Sequence, residues 1–201
     1  MAGAELITLF GDQLPQVHTA KIGIRVAGGT KVSARDLANT LLALSVVDLV
    51  SQGVATLERK SVKGKFRTRE SLVVRSSPGG EGFSALIAGK AGNGVEIAHL
   101  AYQVLGNSEA VGTEMKLLGI AQSFLEQSGA VRAPSQKLGW NARHGGATPY
   151  EINDDVAATL LPHWQPLRAS WENFGASRAG DLKELIDLCS KSIAECRPSL
   201  D

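Results

Sequence analysis

Residues 33–76, SARDLANTLLALSVVDLVSQGVATLERKSVKGKFRTRESLVVRS, contain the change of hydrophobic period that decides the fold. Ser33 with Asp36 three residues on resembles a capping box in which Asp stands for Glu. Leu37, Leu41, Leu42, Leu44, Val46, Val47, Leu49 and Val50 then cover most of a helical surface until Gly53. A helix apolar on so many sides is a central one. After Gly53 the period falls to two: Val54 to Lys60 and Phe66 to Arg75 read as strands joined across residues 61–65, where Gly64 is free to take a positive φ. Helix, glycine, hairpin predicts a winged-helix-like unit over about residues 33–76, with a helical remainder over 95–197, in a single domain of residues 1–201.

Outward from this unit the signals are local. Glu5 to Phe10 is apolar and leans to β, Gly11-Asp12 closes it, and Val17 to Val26 reads as a second extended stretch before Gly28-Gly29. On the C-terminal side, residues 76–82 are a Ser/Pro/Gly loop, Phe83 to Ala88 is a short apolar segment, and residues 89–94 form a second loop. Helices are expected from Val95 to Leu105 and, capped by Ser108, on to Gly129. The latter ends in Phe124-Leu125-Glu126-Gln127-Ser128-Gly129-Ala130-Val131, which echoes Asp48 to Ala55: an apolar helix, a glycine, an extended segment. Either two such units exist, or glycine C-caps are simply common. Residues 134–149 show no clear period, short helices at Asp154 to Leu161 and Leu167 to Phe174 are expected to break at Pro162 and Pro166, and a last helix starts near Asp181. The fold class is therefore mainly α with a β-hairpin, a helical bundle around a central apolar helix.

Composition bounds the function. With 201 residues and 43% hydrophobic ones, a chain of 21.2 kDa buries roughly 70% of its unfolded surface and needs no disulfide or structural metal. A formal charge of +1 excludes a polybasic coat or an acidic tail as the organising feature. Cys189 and Cys196 lie seven apart on one helix, about 10 Å along its axis, beyond disulfide reach. They read as small core hydrophobes in a reducing compartment. No basic region leads into an apolar core at the N-terminus, and Leu37 to Val50 falls short of the ~20 apolar residues that span a bilayer. Cytoplasmic residence, with peripheral membrane association, is the expectation.

The charge is unevenly spread. Arg59, Lys60, Lys63, Lys65, Arg67, Arg69 and Arg75 face only Glu58 and Glu70 in the hairpin, whereas beyond Thr148 nine acidic residues meet five basic ones. Such a molecule is oriented by an anionic surface, and the six cations Arg59, Lys60, Lys63, Lys65, Arg67 and Arg69 are the candidate anion-binding residues. A hairpin whose charges merely prevent edge pairing would show the same pattern. Catalytic and metal motifs are missing from the sequence: His18, His99, His144 and His163 are dispersed, residues 82–91 miss the phosphate-loop spacing, and no G-x-S-x-G elbow occurs. Trp140, Trp164 and Trp171 are expected in the core. No cofactor is implied.

Leu41 to Glu58, the basic hairpin, the loop 76–82, Phe124 to Arg132, and Lys137-Leu138-Gly139 with Pro149 and Asp154-Asp155 follow an order that resembles the Golgi phosphoprotein family and its bacterial relatives. The resemblance implies a soluble, mostly helical protein that binds phosphatidylinositol phosphate head groups, and a hairpin used for membrane contact or self-association. The family's arginine-flanked glycine is replaced here by Gln52-Gly53-Val54, and its head-group arginines fall at Met115 and Leu118, so the lipid site does not carry over. The expected function is a non-enzymatic adaptor that presents the hairpin to anionic phospholipid. The alternative is a winged-helix DNA-binding regulator, against which the helix before the hairpin offers no Arg, Asn and Gln set for base edges.

Overall fold

The computed structural model describes residues 3–63, 68–106, 112–133 and 150–196, with the backbone alone at 62, 63, 68 and 69. Its centre is α2 (Ala34–Ser51), in which every residue from Leu37 to Leu49 is buried. Ser33 caps it, its hydroxyl accepting from the Asp36 amide at 3.3 Å. Packed on α2 are α1 (Ile7–Phe10), α3 (Gly82–Ala91), α5 (Thr113–Glu126), α7 (Leu161–Ser177) and α8 (Ala179–Glu195), while α4 (Leu100–Leu105) packs against α3 and α8. A short α6 (Asp154–Thr159), capped by the Asn153 side chain, precedes α7. The buried apolar residues form one cluster, and Trp164, Trp171, Cys189 and Cys196 all belong to it. The chain is mainly α with small antiparallel sheets.

The hairpin follows α2 as its sequence predicts. Gly53 has φ +71°, and β3 (Ala55–Lys63) pairs with β4 (Thr68–Ser76) in an unbroken register from Ala55↔Ser76 to Lys63↔Thr68. A two-residue β5 (Val95–Glu96) adds to β4. Ahead of α2, β1 (Thr19–Arg25) pairs with β2 (Lys31–Val32).

Three expectations are corrected. Ala4 to Phe10 is a 3-10 turn running into α1, every residue of it buried, and not a strand. A segment buried on all sides loses the period that separates helix from strand. Val95 to Leu105 begins as β5 and a 3-10 turn, so its helix is only α4. The prolines do not break α7: Pro162 stands in its first turn, where an amide N–H has no partner to lose, and the helix continues through Pro166 because Trp164, Leu167, Trp171 and Phe174 bury one face. Ser108 and residues 134–149, with Trp140 and His144, lie outside the described residues.

The echo between Asp48–Ala55 and Phe124–Val131 is present in the local geometry. Gly129 has φ +74°, its amide donates to the Glu126 carbonyl at 2.9 Å much as Gly53 donates to Val50 at 3.1 Å, and β6 (Val131–Arg132) follows. This second strand pairs with β7 (Glu151–Ile152) over two residues only.

Candidate functional site

The hairpin divides into a base and an outer half. Antiparallel partners share a face, so Ala55, Leu57, Leu72 and Val74 pack one face onto the core. Arg59, opposite Leu72 on this same face, is thereby turned toward α8. Its Nη2 donates to Asp181 Oδ1 at 2.8 Å and lies 2.6 Å from Glu184 Oε2. These bonds hold the guanidinium more firmly protonated and Asp181 below the usual carboxylate range. Arg178 grips the other Asp181 oxygen at 2.7 Å and stacks over the Phe174 ring. On the opposite face Lys60 Nζ lies 2.9 Å from Glu58 Oε2, whose carboxyl is pulled down by this bond.

Of the six candidate cations, two are thus balanced by carboxylates at the base. Lys63 and Arg69 sit at register positions past the exposed pair Ser61↔Glu70, and Lys65 and Arg67 fall outside the described residues. The expected separation of the basic finger from the acidic C-terminal region does not hold, because α8 packs along α2 and brings Asp181 and Glu184 against the finger's base. Asp154 turns elsewhere, to Arg25 and the Gly28 amide. The helix before the hairpin offers the winged-helix alternative no free side, since α2 is buried from Leu37 to Leu49.

A buried carboxylate network, unread in the sequence, ties α2, α3 and the N-terminal segment together. Asp48, 3% exposed, accepts from Ser84 Oγ and from Gln52 Nε2, both at 2.7 Å. Glu5, 1% exposed, accepts from the Gly3 amide at 2.7 Å and from the Phe83 amide at 2.9 Å, and so caps α3 from a distant part of the chain. Burial pushes both carboxyls up, and the hydrogen bonds pull each partway back. The only signal in the sequence is an acid inside an apolar run, since a buried acid requires partners.

The remaining sequence candidates are structural. Trp164 and Trp171 are buried, their indole N–H groups donating to Gln13 at 2.9 Å and Gln16 at 3.1 Å. His18 is exposed beside Asp36, and His99 faces Glu96. Both cysteines are buried and free, and burial raises both thiols. Among the described residues no three His, Cys, Asp or Glu side chains are placed to hold a metal ion, and no helix is long and apolar enough to cross a membrane.

Fold and site define a mainly α protein with a basic hairpin rooted on an acidic helix. No family model matches the chain, and no curated protein and no solved structure matches it.

Proposed function

We propose that the chain is a non-enzymatic adaptor that docks on anionic phospholipid through the outer half of its hairpin. One observation carries the reading: strand pairing continues to Lys63↔Thr68, two steps beyond the exposed pair Ser61↔Glu70, while Arg59 and Lys60 are already held by carboxylates. The cations this reading assigns to the surface are Lys63, Lys65, Arg67 and Arg69, which alternate along the sequence with no acid until Glu70. Each basic residue near an anionic leaflet contributes about 1 kcal/mol, and four acting together suffice for reversible docking. Phe66 among them adds an apolar group suited to the interface. The resemblance to the Golgi phosphoprotein family points the same way. The burial of α2 supports this reading over DNA binding, which needs a helix face for the major groove.

Co-sedimentation tests it. Vesicles of phosphatidylcholine with phosphatidylserine are expected to pellet the chain, and pure phosphatidylcholine vesicles are not. Replacing Lys63, Lys65, Arg67 and Arg69 together by Glu is expected to abolish pelleting. Equal pelleting with neutral vesicles, or unchanged pelleting of the variant, would remove the hairpin from the function.

A further inference from the structure

The ribbon ahead of α2 holds a large apolar side chain out in water. Thr19 and Ile24 both stand opposite Val32 and the register shifts between them, so Ala20 to Gly23 have no partner on β2. Ile22, in this unpaired stretch, is 79% exposed, against 40% for Tyr102 and Phe124, the other exposed large hydrophobics among the described residues. A single exposed apolar residue carries nothing by itself. This one sits on a stretch fastened at both ends by carboxylates from elsewhere in the fold. Asp36 accepts from the His18 amide at 3.3 Å and meets its ring at 2.9 Å, and Asp154 accepts from Arg25 and from the Gly28 amide. Gly23 lies so close to Val32 that a Cβ there would collide with its carbonyl oxygen. Ile22 is therefore braced, and little ordering entropy is lost when it meets a partner.

Its surroundings carry one sign of charge. No acid occurs between Asp12 and Asp36, whereas Lys21, Arg25, Lys31 and Arg35 do. Arg25 is taken by Asp154, and Lys21, Lys31 and Arg35 are exposed and make no salt bridge among the described residues. A lone apolar protrusion gives a protein partner little to bury, since an interface needs a packed core around its anchor. A bilayer needs no matching pocket: it accepts a protruding isoleucine among its acyl chains while the charged heads beside it stay with the phosphates. The ribbon and the hairpin are also rooted together. Pro15 and Gln16, just ahead of β1, line a groove with Ala179, Leu182 and Lys183, and Asp181 and Glu184 of the same two turns of α8 hold Arg59 at the hairpin's base.

We propose that the β1–β2 ribbon is a second contact with the anionic bilayer, in which Ile22 enters the acyl region and Lys21, Lys31 and Arg35 meet head-group phosphates. The inference rests on the reading of the chain as a phospholipid adaptor and adds to it a separate element, tested separately.

An environment-sensitive fluorophore on Ile22→Cys tests it, since the native Cys189 and Cys196 are buried. With vesicles of phosphatidylcholine and phosphatidylserine that label is expected to shift its emission to the blue, and the same label on Ala176→Cys, an exposed position of α7, is not. Ile22→Ser is expected to weaken co-sedimentation about tenfold, the loss of one inserted side chain, and Ile22→Leu to leave it unchanged. A label at position 22 that stays unshifted while the chain pellets overturns the ribbon contact and leaves the hairpin reading standing. Wild-type pelleting of Ile22→Ser, or equal shifts at the two labelled positions, overturns it too. So does a blue shift that grows with protein concentration in the absence of vesicles, which marks a second copy seated on Ile22. In the reverse case, the chain with Lys63, Lys65, Arg67 and Arg69 all replaced by Glu still pellets and still shows the shift at position 22: the ribbon contact then stands and the hairpin reading falls. No pelleting of the unaltered chain with anionic vesicles, or equal pelleting with neutral ones, overturns both.

Discussion

Asp48 is a carboxylate in the last turn of a helix buried from Leu37 to Leu49, and its ionised form is the costly one. Its carboxyl is raised in the folded chain, so between the unfolded and folded values the folded state holds a proton that the unfolded state has released. Stability falls as pH rises through that window, and the full penalty is present above it. Asp48→Asn is therefore expected to raise the thermal midpoint at about pH 7, with the gain shrinking toward about pH 4. Glu5 is raised for the same first reason, burial, yet Glu5→Gln is expected to destabilise. One amide of Gly3 or Phe83 then loses its acceptor, and a buried unpaired donor costs about 1–3 kcal/mol in a urea melt. Gly82 has φ +52°, and a Cβ there would lie 2.1 Å from a Glu5 oxygen, whereas Gly53 has φ +71° with nothing within 4 Å. Gly53→Ala is expected to cost about 1–2 kcal/mol of backbone strain alone, and Gly82→Ala more, because it also evicts the cap of α3. Asp48 is unreadable in the sequence because Asn39, Thr40 and Ser45 interrupt the same apolar run, and only the arrival of Ser84 from another helix singles it out.

Elements were legible where one face meets water and illegible where none does. The hairpin alternates because β3 has an exposed side, and its register follows from Gly53 onward. The Glu5–Phe10 segment shows no alternation to read, being buried throughout, and Ile7 and Thr8 tilt propensity toward a strand that packing overrides. In α7 the proline signal was heard and outvoted: the buried face from Trp164 to Phe174 holds the helix together although Pro166 gives no N–H to the Pro162 carbonyl. That residue is exposed. Pro166→Ala restores the missing donor and is expected to stabilise α7 by about 2 kcal/mol, the interior proline penalty less the unfolded-state entropy that proline removes. A urea melt checks it, and an unchanged midpoint would mean that the helix has already absorbed the proline by bending.

At the scale of the whole molecule, the near-zero net charge conceals an arrangement and not a simple dipole. Counting charges along the chain assigns the hairpin one pole and the C-terminal region the other, but the packing of α8 on α2 sets Asp181 and Glu184 at the hairpin's base and cancels Arg59 there. The other four candidate cations, Lys63, Lys65, Arg67 and Arg69, follow Arg59 and Lys60 in the sequence with no acid among them until Glu70. This distribution makes unequal predictions for residues that look alike in sequence. Lys63→Gln and Arg69→Gln should each lower affinity for phosphatidylserine vesicles about fivefold, the loss of about 1 kcal/mol. Arg59→Gln should lower it less than about twofold, because an anionic surface must first compete with two carboxylates for that guanidinium. Asp181→Asn with Glu184→Gln should tighten binding, by releasing Arg59 toward the lipid. All of these differences should fade as salt rises from about 0.05 M to about 0.5 M, where the screening length falls from roughly 14 Å to roughly 4 Å. Quantitative co-sedimentation of the unaltered chain and the four variants across that range decides between the two halves of the finger. An Arg59→Gln loss as large as that of Lys63→Gln would mean that the base opens on the surface and that α8 is a latch, with the carboxylates exchanged for phosphates on docking.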